Sequence, residues 1–265
     1  MQKNTLFVAT SLALLLTGCG EMAKLPVSAG MGPTPTLPEP SHSLFPTVNI
    51  ANATGWKPGE KPTPAAGLAV SAFATGLDHP RWLYQLPNGD VLIAETNHPP
   101  KEANESFSLK NWITGKAMAK AGASMDSPNR ITLLRDTDGD GVADQRSIFI
   151  SNLNSPFGMA LIGNDFYVAN ADAVVKFPYK TGETEIKAAP TKILDLPGYP
   201  LNHHWTKNLL ASQDGSKLYI TVGSNSNVGE NGLEIETGRA AIWQLDLKSG
   251  EHNIFASGLR NPNGM

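Results

Sequence analysis

The strongest constraint on the fold is a short lead-in motif that returns along the chain. Gly76-Leu77-Asp78-His79-Pro80, Asn152-Leu153-Asn154-Ser155-Pro156 and Gly258-Leu259-Arg260-Asn261-Pro262 share one pattern, and Leu201-Asn202-His203-His204 is a looser version. Segments that follow these lead-ins alternate strand-like runs with Gly, Pro, Asn and Asp turns, as in Pro87-Asn-Gly-Asp90 before Val91-Leu-Ile-Ala-Glu95. The lead-in leucines Leu77, Leu153, Leu201 and Leu259 lie 76, 48 and 58 residues apart. Taking out an insertion of about 25–30 residues brings the first interval near 50, the period of four-stranded β-propeller blades of roughly 40–50 residues. An all-β sandwich with coincident turns is the alternative. The shared strand order favours the propeller. Gly (25) and Pro (20) are abundant, which suits a turn-rich all-β chain.

The folded part is expected over residues 67–265, with an insertion at 97–128 in which 106–123 has helical propensity. That length holds about three blades and the lead-in of a fourth, whereas propellers close with roughly four to eight. The expectation is an incomplete propeller with an open strand edge.

Residues ahead of the repeats read differently. A short positive start, an apolar run from Leu6 to Leu16 and Thr17-Gly18-Cys19 form a signal segment over 1–18. The run is shorter than the ~20 residues of a transmembrane helix. Leu16-Thr17-Gly18-Cys19 resembles the bacterial lipobox, which implies cleavage before Cys19 and lipid attachment to its sulfur. As the one cysteine, Cys19 leaves no internal disulfide. Residues 19–66 carry nine prolines from Pro26 to Pro64 and read as an extended tether. The expected location is periplasm-facing and membrane-anchored. Gly20, with no Asp after the cysteine, favours the outer membrane. A net charge of −3 and no basic block exclude the electrostatic footprint of a nucleic-acid binder.

In a propeller the lead-ins feed the innermost strands, so their side chains meet at one mouth. That collects His79 and Arg81, Asn154 and Ser155, His203 and His204, and Arg260 and Asn261. His, Arg and Asn together suit an anionic, carbonyl-rich ligand and a general base. His79 and Arg81 read as mostly structural. Ser155 has no partner that would make it a nucleophile. A His-His pair in a loop is ordinarily a surface feature, and it is placement in a lead-in that gives this pair weight.

Asn202-His203-His204, Leu218-Tyr-Ile-Thr-Val-Gly223 and Gly258-Leu-Arg-Asn-Pro-Asn-Gly264 resemble the glucose/sorbosone dehydrogenase family. Segments 76–96 and 130–171 are similar to its sorbosone dehydrogenase branch. The likeness covers about residues 68–265, the first half of the family's catalytic domain. It implies a six-bladed propeller and pyrroloquinoline quinone (PQQ)-dependent oxidation of an aldose or sugar-derived aldehyde. His204, five residues before Leu209, matches the catalytic histidine. Arg260 and Asn261 match cofactor contacts. His203 stands where soluble glucose dehydrogenase has an Asp that orients the base. The family's calcium site and its other basic contacts lie beyond this half, so the chain is expected to be inactive alone.

Asp136, Asp138, Asp140, Gly141 and Asp144 follow calcium-loop spacing, but Ser147 replaces the twelfth-position Glu. A plain Asp-Gly hairpin turn explains the same residues equally well. Two other classes stay open: a non-catalytic extracytoplasmic binding propeller, and a calcium-dependent lactonase-type hydrolase. The second needs acidic residues on the axis, where the lead-ins offer mainly basic and amide groups.

Cys19→Ser is expected to abolish incorporation of labelled palmitate and release the protein from membranes. A wild-type protein that takes up no palmitate would remove the lipid anchor.

Overall fold

The computed structural model describes residues 24–36, 50–99, 109–123, 125–199 and 201–265. The signal segment and Cys19 lie outside them. The chain divides into two compact units, Met1–Ala53 and Thr54–Met265. In the first, a 3₁₀ turn at Val27–Gly30 interrupts the expected tether. There Ala29 N–H donates to Pro26 O at 2.9 Å, and Thr36 N–H to Ala29 O at 2.7 Å. Among the described residues no helix is long and apolar enough to cross a membrane.

The second unit is three four-stranded antiparallel meanders laid down in chain order. Sheet 1 is β1 (Pro80–Gln85), β2 (Val91–Glu95), β3 (Arg130–Arg135) and β4 (Gln145–Ile150). Sheet 2 is β5 (Met159–Ile162), β6 (Asp165–Ala169), β7 (Ala173–Pro178) and β8 (Thr191–Asp195). Sheet 3 is β9 (Leu209–Ala211), β10 (Lys217–Val222), β11 (Ala241–Asp246) and β12 (His252–Ala256). The insertion contributes one helix, α1 (Leu109–Lys120), between β2 and β3. Residues 68–73 form no strand: among the described residues they have no ladder partner, only isolated contacts such as Ala143 N–H to Phe73 O at 2.8 Å.

Sheet 2 explains the apolar runs. Side chains alternate between the faces of a strand. Phe166, Val168, Val175 and Phe177 therefore pack on Leu92, Ile131, Leu133 and Phe149 of sheet 1. Ala160, Tyr167, Ala169 and Val174 pack on Leu209, Leu218, Ile220, Val222 and Leu245 of sheet 3. A sheet covered on both faces needs apolar residues at odd and even positions alike, and β6 is buried from Phe166 to Ala169. Edge-to-face rings, Phe149 on Phe166 at 5.5 Å and Tyr84 on Phe166 at 6.2 Å, fill the first interface.

The lead-ins do repeat, with one correction. Gly76, Asn152 and Gly258 share left-handed φ values of 65°, 58° and 78°. After Asn152 and Gly258, the next leucine N–H closes on the residue just before the third strand of the sheet it leaves. Leu153 reaches Asn129 O at 3.0 Å, and Leu259 reaches Ala240 O at 2.9 Å. Ahead of sheet 3 that role falls to Leu196, whose N–H reaches Asp172 O at 2.7 Å. Leu201 was the wrong member of the set. An extra loop, beginning Pro197-Gly198, separates the structural leucine from the histidine pair.

Gly158 shows how close sheets 2 and 3 come. Its N–H donates to Lys207 O at 2.9 Å, and a Cβ there would sit 2.5 Å from Leu209 N. Gly158→Ala is expected to destabilise the chain by about 1–3 kcal/mol, the usual cost of overpacking, in denaturant unfolding. An unchanged midpoint would mean that the two sheets can part at this point without cost.

Candidate functional site

Meander topology puts certain loops together. The lead-in, the turn after each second strand and the start of each third strand lie at one end of a sheet, and the β3–β4 type of hairpin lies at the other. The lead-in end of sheet 3 therefore gathers residues 201–208, the loop beginning Gly223-Ser224, and Arg239 just before β11.

His204 is half-buried there. Its Nδ1 lies 2.8 Å from Ser224 Oγ and 3.1 Å from Ser224 O. Ser224 Oγ already donates to Ser226 O at 2.7 Å, and a carbonyl oxygen only accepts. These contacts assign the hydrogen to Nδ1 and leave the lone pair on Nε2. Ser224 N–H in turn donates to Arg260 O at 2.8 Å, so the final lead-in crosses the same residue. Gly223 makes the crossing possible: a Cβ there would fall 2.5 Å from His204 Cβ and 2.8 Å from Asn261 Oδ1.

The electrostatics follow from this packing. Burial holds the His204 imidazole below its ordinary pKa, and the charges of Arg260 and His203 add to the effect. The bond to Ser224 and the charge of Glu236 oppose it. The ring is therefore neutral at pH 7, the state a base needs. The loop itself is anchored by Glu236, which accepts from Asn225 N–H at 2.6 Å, Ser226 N–H at 3.0 Å and Ser226 Oγ–H at 2.6 Å. Burial works against ionisation of Glu236, but these donors outweigh it and its pKa falls.

Other lead-ins reach the same region. Thr206 Oγ1 donates to Asn263 Oδ1 at 3.0 Å, and Asn208 Nδ2 to Asn263 O at 2.5 Å. The Arg81 guanidinium lies 5.5 Å over the Trp205 ring, and Phe157 meets Trp82 at 5.1 Å and Trp205 at 6.3 Å. Arg81, read from sequence as structural, is thus exposed beside the residue that follows His204. Arg260 is exposed, with Nε and Nη2 held by Asn227 O at 3.0 Å and Asn227 Oδ1 at 2.7 Å. Asn261 keeps a buried Oδ1 with no partner among the described residues.

Several expected residues sit apart from this group or play other parts. His203 is exposed, and its backbone N–H pairs with Asn225 O at 3.1 Å. Ser224, not His203, touches the His204 ring. His79 and Ser155 adopt left-handed φ, and Asn154 is pinned by Asn170 Oδ1 at 3.3 Å. The Asp136–Asp144 loop is at the far end of sheet 1. Oxygens of Asp136, Asp138 and Asp144 lie within 4.8 Å of one another, and Asp140 is not among them. Asp136 accepts from Gly139 N–H at 2.7 Å and Gly141 N–H at 2.9 Å, and Asp140 from Val142 N–H at 2.8 Å. The loop satisfies itself as a turn. Three carboxylates, each mono- or bidentate, would supply three to six of the roughly six to eight oxygens calcium takes.

Residues 126–265 match the TrAA12-like family, and the chain belongs to that family. Its fold is that of solved PQQ-type domains. The holo PQQ domain of pyranose dehydrogenase from Coprinopsis cinerea aligns at 16% identity and a TM-score of 0.52, over 76% of this chain and 45% of that one. The iodide structure of the Trichoderma reesei carbohydrate-active enzyme of family AA12 aligns at 16% identity and a TM-score of 0.56, over the same shares. The T. reesei calcium structure aligns at 16% and 0.52, over 71% of this chain and 43% of that one. The chain thus spans under half the length of each. No curated protein matches it.

Ser224→Asp is expected to raise the His204 pKa by about one to three, because an adjacent carboxylate favours imidazolium. Histidine NMR titration reads this directly. A His204 titration that stays put would place the ring away from Ser224.

Proposed function

We propose that this chain is part of a PQQ-dependent oxidoreductase that oxidises an aldose or sugar-derived aldehyde, with His204 as the general base. The observation that carries the reading is that the His204 ring and the backbone carbonyl of Arg260 meet at Ser224, with no partner on Nε2 among the described residues, in a chain of the TrAA12-like family.

The residues present suit the cofactor. An anionic quinone carrying carboxylates calls for cations and amide groups at one mouth. Arg260 offers its remaining Nη1 edge, Arg81 is stacked nearby on Trp205, and Asn261 can offer its amide Nδ2–H donors, its Oδ1 being buried against Gly223. When bound, PQQ supplies the two-electron acceptor. The work left to the protein is binding and proton movement. Arg260 and Asn261 hold the anionic group. His204 Nε2 takes the proton of the substrate's anomeric hydroxyl, or of the hydrated aldehyde, while Ser224 keeps the ring's other nitrogen protonated. The sorbosone dehydrogenase branch, a lipid anchor at Cys19 in an outer membrane and a periplasm-facing site belong to the same proposal. Calcium at the Asp136–Asp144 loop does not, since that loop is complete as a turn and remote from the lead-ins.

Mixing the chain with PQQ is expected to give saturable binding by absorbance. Arg260→Met should weaken it about 10- to 100-fold, the worth of a charge-assisted hydrogen bond. His204→Ala should keep binding and abolish dye reduction with aldoses in any product of the gene that carries a closed ring. A wild-type chain that binds no PQQ overturns the cofactor assignment. Undiminished dye reduction by His204→Ala overturns the base.

A further inference from the structure

The segment that carries His204 is wound around the amine of a buried lysine. Lys207 is 0% exposed. Its Nζ lies 3.3 Å from Trp205 O and 3.4 Å from both His204 O and Asn202 Oδ1. Three acceptors thus face a group with three hydrogens. Arg239, 6% exposed, comes from the other side of the loop and donates to the same Asn202 Oδ1 at 3.0 Å and to Leu201 O at 3.2 Å. Neither cation forms an ion pair among the described residues.

Burying a cation without a carboxylate beside it is costly, and a methionine of similar reach would fill the same space without that cost. What methionine cannot do is draw two successive carbonyls, those of His204 and Trp205, to one point. The backbone beyond Lys207 is already fixed, since Lys207 O accepts from Gly158 N–H at 2.9 Å and Asn208 N–H reaches Thr221 Oγ1 at 2.7 Å. The amine is therefore the tie between a fixed strand and the loop that holds the imidazole.

We infer that Lys207 is a positioning residue for His204, its ammonium setting the backbone on which the ring is mounted while Ser224 sets the ring. The inference rests on His204 being the functional base, but its test reads the ring and not turnover. The charged and titratable groups that face the amine are Arg239 before β11, Asp172 between β6 and β7, and His204 on its own loop. Burial and then the charge of Arg239 lower the Lys207 pKa to about 7, with Asp172 opposing. Because the folded value lies below the unfolded one, the stability cost is full below about 7. It is relieved as the pH rises from there toward the unfolded value of about 10.4. A neutral amine has only two hydrogens for three acceptors, so the tie slackens over that same range.

The experiment is NMR of the full chain labelled with ¹⁵N-histidine, on wild type and Lys207→Met, with thermal melts at about pH 6. Lys207→Met is expected to melt at or above the wild-type temperature. His204 is expected to pass from a single Nδ1–H tautomer to a mixture, while His252, stacked on Trp243 in sheet 3, is unchanged. A folded Lys207→Met whose His204 tautomer and titration match wild type overturns the proposal. Should the variant not fold, the wild-type Nδ1–H resonance is compared with that of Lys207→Leu, which also removes the donors, and a folded Lys207→Leu whose His204 tautomer matches wild type overturns the inference.

Discussion

The arrangement depends on a backbone hydrogen bond made three times. Leu153 and Leu196 are buried, so their N–H groups must find acceptors once the chain leaves the sheet, and Leu259 repeats the bond from an exposed position. In all three cases the N–H takes the carbonyl just ahead of that sheet's third strand: Asn129, Asp172 or Ala240. The bond returns the chain to the same end of the sheet after every fourth strand. Without it the next first strand would have no fixed starting point, and the loops that carry polar groups would not collect at one end. Left-handed residues ahead of Leu153 and Leu259 serve the same turn. Gly258 takes the conformation freely, and Asn152 is among the side chains that tolerate it.

Once the lead-ins share an end, their charges act together. Arg260 and His203 depress the basicity of His204, and Arg239 depresses that of Lys207. Glu236 and Asp172 are set against them, and the Glu236 oxygens are already committed to the 225–226 backbone and to Ser226 Oγ. The imidazole has no carboxylate hydrogen-bond partner among the described residues. The bond to Ser224 orients the ring and favours imidazolium, but burial, with the charges of Arg260 and His203, outweighs it and lowers the pKa.

Much of this was legible in the sequence, for reasons that also explain what was missed. The second, third and fourth strands of each meander stand out in the sequence as apolar runs bounded by turn residues. Those not read as strands are β1, β5 and β9, the first of each sheet. They are short or irregular, and they follow lead-ins whose turn residues dominate the pattern. Proline and a β-bulge open β1, and β9 has only three residues. Convergence of His204, Arg260 and Asn261 could be anticipated because it follows from rotation of a repeated unit. Ser224, Lys207 and Arg239 could not, since each depends on which loop crosses which lead-in. The one available signal was topological: a residue just past the second strand must lie beside the lead-in of its own sheet. The misplaced leucine has the same origin. Leu201 fits a period near 50 better than Leu196, with intervals of 48 and 58 against 43 and 63, and only the bond to Asp172 identifies Leu196.

Departures from good packing are concentrated at the lead-in end. Buried side-chain atoms without partners among the described residues are Ser155 Oγ and Asn261 Oδ1, both in lead-ins, and the Tyr179 hydroxyl, at the β7–β8 hairpin of the opposite end. Ser155 also sits at a φ of 46°, and Lys207 and Arg239 are cations held inside. By contrast, the opposite end of sheet 1 closes on itself, with both Asp136 oxygens and Asp144 accepting hydrogen bonds within the hairpin. Buried charges at the other end of the β2–β3 ladder are likewise compensated: Asp90 is gripped by Arg135 through two bonds of 2.6 and 2.7 Å. Among the described residues, two of the three orphaned side-chain atoms and both unpaired buried cations thus fall at the lead-in end. Local cost of this kind persists where the arrangement is kept for something other than stability. In this chain that place is the mouth formed by the His203-His204 loop of sheet 3 and by Arg260-Asn261.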